Sequence, residues 1–324
     1  MKPVLEVQDL ETTFFLKSGP FKAVNRISYT INQGETLGIV GESGCGKSVT
    51  SFSLMQLISE PGKITNGKAI LNGQDLLTLK KSEMESVRGG KMAMIFQEPM
   101  TALNPVLKIG YQMIEQIQKH MKYNQNDARM RAIEMLELVG IPAAKERYDT
   151  YPHQLSGGMR QRAMIAMALS CNPQMLIADE PTTALDVTIQ AQILELFQSL
   201  QERFNMSVQF ITHDLGVISE VSDKILVMYG GQTCETGATQ DIINSPKHPY
   251  TAALIQSRPR MGTRVNRLQT IEGTVPAPHD FPKGCPFATR CTRVKEECWT
   301  VKPPLIPVVQ AGSPRSVACF NPVP

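Results

Sequence analysis

Gly41-Glu42-Ser43-Gly44-Cys45-Gly46-Lys47-Ser48 decides the fold. An apolar run, Leu37 to Val40, precedes it and reads as a buried strand, and a helical run begins at Val49. A strand, a loop of pattern G-x-x-x-x-G-K-[ST] and a helix together make a phosphate cradle. The glycines let consecutive backbone N–H groups turn inward, and the helix N-terminus adds its positive dipole end. Lys47 then reaches the β and γ oxygens and Ser48 ligates Mg²⁺. A glycine-rich turn with no ligand is the bland alternative, and the residues downstream weigh against it.

Outward from this loop, short apolar runs alternate with helical patterns. Met92 to Phe96, Met175 to Ala178, Val208 to Thr212 and Lys224 to Met228 read as further buried strands. Between them Ala132, Met135, Leu136 and Val139 recur at helical spacing, with Asp127 near a start and Gly140 at a stop. Buried strands alternating with helices imply an α/β fold around a mainly parallel sheet. Residues 100 to 170 carry helical pattern and little strand, so a helical subdomain inserted into the core is expected there. Nine prolines precede residue 245 and thirteen follow it, and four of the seven cysteines crowd the same end. A boundary near 245 is therefore expected, dividing residues 1–245 from a loop-rich appendage over 246–324.

At 42% hydrophobic and 19% charged, the chain has ample apolar surface to bury, which excludes a disordered tail protein. No apolar run approaches the roughly 18 residues that span a bilayer, and the N-terminus lacks the pattern of a secretory signal. A soluble chain is expected unless a partner carries it to a membrane. A formal net charge of +3 with no block of like charges disfavours nucleic acid as the partner.

The strand Met175 to Ala178 ends in Asp179-Glu180. Asp179 is placed to hold Mg²⁺ through water and Glu180 to polarise an attacking water, which is what phosphoryl transfer needs beyond a phosphate cradle. His213 follows the strand Val208 to Thr212, at a strand end where ligands collect in open α/β sheets, and is read as a γ-phosphate contact.

Leu155-Ser156-Gly157-Gly158-Met159-Arg160-Gln161-Arg162 resembles the signature sequence of ABC ATPases. Physically it is a second anion site, since Ser156 and the Gly157 and Gly158 amides open a helix. The resemblance implies a P-loop NTPase fold of the ABC nucleotide-binding type. It further implies head-to-tail pairing of two cassettes, with ATP between the P-loop of one and the signature residues Ser156, Gly157, Gly158 and Gln161 of the other. Gln97 matches the Q-loop glutamine, a ligand of Mg²⁺ beside Ser48 and Asp179 and a sensor of the membrane partner. Ala184-Leu185-Asp186 matches the D-loop and His213 the switch histidine. The catalytic set is then Glu180, His213 and Gln97. Gly41 to Val49 bind ATP, with Phe14 as the adenine-stacking aromatic and Phe15 as fallback. Cys45, inside the loop, is read as a tolerated small residue.

Three stretches narrow the resemblance to bacterial dipeptide and oligopeptide importers. They are Gln97-Glu98-Pro99-Met100-Thr101-Ala102-Leu103-Asn104-Pro105, the run Ile177 to Val187, and His248-Pro249-Tyr250-Thr251 with the cysteine-bearing tail. Related nickel importers use similar subunits, and a non-transport ABC ATPase acting on ribosomes or nucleic acid is the rival from another class. The family implies ATP hydrolysis coupled to peptide import. It implies two transmembrane permease subunits, a second, paralogous ATPase and an extracytoplasmic peptide-binding protein as partners. The location implied is the cytoplasmic face of the inner membrane, as a peripheral protein.

Cys285, Cys291, Cys298 and Cys319 are separated by five, six and twenty residues, unlike the paired C-x-x-C of a zinc ribbon. Disulfides are disfavoured in a reducing compartment. The residues themselves leave a metal or iron–sulfur site and four unrelated cysteines both open. The family resemblance implies a [4Fe–4S] cluster on these four.

Overall fold

The computed structural model describes residues 2–98, 102–183, 185–257, 270–277, 279–308 and 314–324. In chain order its elements begin with β1 (Pro3–Leu16), β2 (Gly19–Asn32), β3 (Thr36–Val40), α1 (Lys47–Leu54), β4 (Gly62–Leu71), β5 (Gln74–Asp75), α2 (Lys81–Val87) and β6 (Met92–Ile95). A helical stretch follows: α3 (Ile109–Met121), α4 (Gln125–Leu138), α5 (Ala144–Arg147) and α6 (Gly157–Leu169). Then come β7 (Met175–Asp179), α7 (Val187–Phe204), β8 (Ser207–Thr212), α8 (Leu215–Val221), β9 (Lys224–Tyr229) and β10 (Gln232–Ala238). The chain ends with α9 (Thr239–Asn244), α10 (Pro249–Gln256), α11 (Glu297–Thr300), β11 (Ile306–Pro307) and β12 (Ser316–Val317). Each of the five expected strands is present, and among the described residues no strand interrupts the helical stretch between Ile95 and Met175.

Two compact units divide the chain, and neither is continuous in sequence. The first comprises Met1–Leu5, Ile31–Glu35 and Thr78–Gln209; the second comprises Glu6–Thr30, Thr36–Leu77 and Phe210–Pro324. The appendage expected beyond 245 thus belongs to the same unit as the phosphate loop.

In the first unit β6 and β7 pair in parallel, Met92 opposite Met175 and Ile95 opposite Ala178. Both are buried along their length, as strands covered on two faces must be, which is why they read as unbroken apolar runs. The helix expected around Ala132 is α4. Asn124 caps it by accepting from the Asp127 N–H, and Ala128, Ala132, Met135 and Leu136 form its buried stripe. That stripe packs on α3, whose Met113, Ile114 and Ile117 are buried, and on α6. Each buried Met, Leu or Ile among them contributes about 1.5–3 kcal/mol by leaving water.

In the second unit the strand order is β11-β12-β10-β9-β3, parallel between β3 and β9 and antiparallel outward from there. Gly230 (φ 54°) and Gly231 (φ 74°) form the two-residue turn between β9 and β10, where both positions need left-handed backbone. A four-stranded sheet, β2-β1-β4-β5, lies almost wholly in this unit. Its strands alternate buried and exposed residues, so no unbroken apolar run marks them in the sequence.

The C-terminal tail is pinned by a buried ion pair. Arg315 Nη2 stands 2.6 Å from Glu235 Oε1, and the two side chains are 3% and 0% exposed. Glu235 also accepts from the backbone N–H groups of Lys247 (2.8 Å) and His248 (2.9 Å), so its charge is fully used.

Candidate nucleotide site

The phosphate loop lies in the second unit. Gly46, at φ 96°, is the N-cap of α1, and Lys47 is the first helical residue. A Cβ on Gly46 would be driven into the Ala23 carbonyl oxygen, and one on Gly41 into that of Met228, so both positions admit only glycine. Lys47 is 5% exposed, and its ammonium donates to the carbonyls of Gly41 (2.7 Å) and Glu42 (3.1 Å). Ser43 and Gly44 are exposed at the loop's crest, while Ser48 and Val49 are half-buried on the first turn of α1. Burial pushes the Cys45 thiol up, against a smaller opposing effect of Lys47, which leaves it protonated and without nucleophilic use. His213 is exposed after β8, and Asp214 beside it caps α8 by accepting from the Gly216 N–H at 2.6 Å.

Phe14 is half-buried, with its ring against Gly62, where a Cβ would meet it at 2.8 Å. Phe15 is 50% exposed.

The acidic element lies in the first unit. Asp179 is 2% exposed at the end of β7. Glu180 follows with φ 48°, a left-handed conformation that a non-glycine residue adopts only when its surroundings hold it there. They do: its Oε2 accepts from Thr183 Oγ1 at 2.9 Å and from Gln97 Nε2 at 3.2 Å, and its carbonyl accepts from the Thr183 N–H at 3.2 Å. Gln97 and Glu180, 83 residues apart in sequence, are therefore joined side chain to side chain.

The signature segment forms the start of α6. Ser156 is its N-cap, accepting from the Met159 N–H at 3.3 Å. Ser156 and Gly157 are exposed, and nothing lies within 4 Å of where a Gly157 Cβ would stand, so the helix N-terminus is open to a ligand. Gln161 differs from the rest of this set. It is 1% exposed, and its Nε2 donates to the Pro181 carbonyl at 2.5 Å, which braces the turn directly after Glu180. Asp186 is exposed and caps α7 by accepting from the Ile189 N–H at 3.0 Å. Ala184, and the Pro99, Met100 and Thr101 of the motif after Gln97, lie outside the described residues.

The four tail cysteines are free thiols that line one cavity with His248, Phe287 and Asn321. Backbone N–H groups donate to three of the sulfurs: Arg293 to Cys291 (3.4 Å), Lys295 to Cys298 (3.4 Å) and Asn321 to Cys319 (3.3 Å). Burial pushes the Cys285 thiol up to about 12, helped by the neighbouring cysteines. Among the described residues no group of three or more His, Cys, Asp or Glu side chains is arranged to hold a metal ion. The arrangement thus does not support the expected cluster: the thiols share a cavity without forming a ligand cage.

Sequence reasoning missed what surrounds this cavity. Tyr229, Tyr250 and Phe287 pack ring on ring at centroid distances of 4.7–5.2 Å. Tyr250 Oη accepts from the Glu42 N–H at 2.8 Å, and Arg290 pairs with the Glu42 carboxylate at 2.6 Å. The only available signal was the His248-Pro249-Tyr250-Thr251 stretch, which carries no hint of what it touches.

Known proteins share this organisation. Residues 24–183 match the family described as ABC transporter, and residues 234–298 match the oligopeptide/dipeptide transporter C-terminal region. The oligopeptide transport ATP-binding protein AppD of Bacillus subtilis is 49% identical over 321 residues, which is 99% of this chain and 97% of AppD. The dipeptide transport ATP-binding protein DppD of Escherichia coli is 50% identical over 302 residues, 93% of this chain and 92% of DppD. A solved dimer of the ATP-binding cassette MJ0796, in a post-hydrolysis state with ADP and Pi, matches at a TM-score of 0.63 and 27% identity. That match covers 71% of this chain and 96% of the cassette.

Proposed function

Because the chain belongs to the ABC transporter ATP-binding proteins, in the branch with the oligopeptide/dipeptide transporter C-terminal region, we propose that it hydrolyses ATP to power import of dipeptides or oligopeptides. The observation that carries the reading is Glu180, held in left-handed backbone after the buried Asp179 with its carboxylate tied to Gln97 and Thr183.

In this reading Lys47 and the loop amides from Gly41 to Ser48 hold the β- and γ-phosphates, with Val49 on the following turn and Phe14 on the adenine. Ser48, Gln97 and Asp179 would hold Mg²⁺. A hydroxyl, an amide and one carboxylate suit an ion that takes its remaining ligands from phosphate and water. Bound there, Mg²⁺ neutralises charge that develops on the phosphate oxygens. Glu180 orients a water and accepts its proton as the water oxygen bonds to the γ-phosphorus and the bond to the β–γ bridging oxygen breaks, releasing ADP and phosphate. His213 contacts the γ-phosphate.

The open N-terminus of α6, with Ser156, Gly157 and Gly158, serves the ATP of a second, paralogous ATPase subunit. Gln161 acts from inside by bracing Pro181, and Asp186 by capping α7. The remaining partners are two transmembrane permease subunits and, through them, an extracytoplasmic peptide-binding protein. Val106 (76% exposed) and Tyr111 (60% exposed), beside and on α3, offer apolar surface for the permeases. With these partners the chain takes a peripheral place on the cytoplasmic face of the inner membrane; no helix among the described residues is long and apolar enough to cross a membrane.

For the tail, the reading includes a [4Fe–4S] cluster on Cys285, Cys291, Cys298 and Cys319. It requires the tail loops to draw together the four sulfurs, which line one cavity without forming a ligand cage.

The test is Lys47→Ala. Peptide uptake by cells relying on this transporter should cease and Mg–ATP binding to the purified chain should fall at least tenfold; unchanged binding would refute the assignment of the loop.

A further inference from the structure

Glu42 is gripped three ways. Its carboxylate faces Arg290 fork to fork, Nη1 2.6 Å from Oε2 and Nη2 3.1 Å from Oε1. Its backbone N–H donates to Tyr250 Oη at 2.8 Å, and its carbonyl accepts from Lys47 Nζ at 3.1 Å. The P-loop pattern asks for no particular residue at this position, so the grip is a feature of this chain and not a demand of the motif.

Arg290 is itself fixed from several sides. Its Nε donates to the Glu272 carbonyl at 2.9 Å and its Nη1 to Tyr229 Oη at 3.3 Å, and its guanidinium carbon lies 5.9 Å from the centre of the Tyr229 ring. The side chain is 4% exposed, against 28% for Glu42. Burial by itself would lower the Arg290 pKa, but the hydrogen bonds and charge of Glu42 outweigh it and hold the guanidinium charged. Arg290 ends a single 3₁₀ turn, Ala288–Arg290, set between Cys285 and Cys291.

A carboxylate within a loop that binds a triphosphate opposes its own ligand. A bidentate arginine cancels that charge and fixes which way it points. We propose that Arg290 is a positioning residue for ATP binding: it neutralises Glu42 and steadies the start of the phosphate loop, so that ATP affinity depends on the folded cysteine tail. The proposal rests on the reading that the Gly41 to Ser48 loop holds ATP.

Mg–ATP binding to the purified full chain, followed with a fluorescent ATP analogue, tests it on four variants. Arg290→Met leaves Glu42 charged and should weaken binding about tenfold, as expected for losing a charge-assisted pair. Arg290→Lys keeps the charge without the fork and should lie between. The double variant Arg290→Met/Glu42→Gln removes the repulsion together with its partner and should recover to within about threefold of the original chain. Rescue by itself also fits a merely structural arginine, whose loss would lower the folded fraction and with it kcat while leaving the KM for ATP unmoved. In the assembled transporter Arg290→Met should raise KM for ATP while kcat falls less than twofold. ATP binding at full strength by Arg290→Met, or a double variant as weak as Arg290→Met alone, would overturn the proposal. If Arg290→Met does not fold, Arg290→Lys with and without Glu42→Gln carries the same comparison. Lys47→Ala separates the premise from the inference. Should it bind ATP normally, the loop reading fails; should it lose ATP while Arg290→Met keeps it, only the present inference fails.

Discussion

Lowering the pH from 7.5 to 5 should loosen the tail through His248. This side chain is 2% exposed, and its Nδ1 accepts from the Tyr250 N–H at 3.0 Å, capping α10. Burial pushes the imidazole from 6.5 down to about 3. On acidification the unfolded chain therefore takes up its proton first, and stability falls as the pH drops from 6.5 toward 3. Linkage between these two values gives a loss of about 2 kcal/mol at pH 5 and almost none at pH 7.5. The chain's single tryptophan, Trp299, stands in the tail on α11 and reports the transition by its fluorescence. Urea unfolding at the two pH values measures the loss, and the same titration of His248→Asn isolates it. Asparagine still offers an oxygen to cap the helix but has no proton to gain. The variant should lose about 2 kcal/mol less than the original chain between pH 7.5 and 5. An equal pH dependence in both would refute the reasoning.

Arg315→Met should cost about 3 kcal/mol in the same urea assay, because it strands the fully buried Glu235 carboxylate, and adding Glu235→Gln should return part of the loss. Protein purified without oxygen should contain about four iron atoms per chain and absorb in the visible range, and Cys298→Ser should lose both; stoichiometric zinc with no iron would reject the cluster.

The parts of the site read from the sequence share one property: each is local. The phosphate loop, the Asp179-Glu180 pair and the start of α6 each arise from a strand or helix end whose residues are neighbours in the chain, so spacing alone reveals them. Strands β3, β6, β7, β8 and β9 were legible for the same reason, as unbroken apolar runs. Arg290 and Glu42 are 248 residues apart, and no periodicity or motif links them. Gln161 shows the limit from the other side. Its place in the signature suggested an outward ligand contact, whereas helix phase turns it inward onto Pro181. The tail cysteines were found as a group, but whether four thiols lining a cavity become a ligand cage depends on loop geometry that spacing does not encode. The division of the chain was hidden too, since both compact units are assembled from separated segments.

The most direct test of the account is ATP turnover by the assembled transporter carrying Glu180→Gln. The glutamine keeps the size and hydrogen-bonding capacity that Gln97 and Thr183 engage but cannot take a proton from water. The expected result is ATP bound as tightly as before, with hydrolysis slowed about a hundredfold or more. Turnover close to that of the unaltered transporter, with this subunit's site occupied, would contradict it.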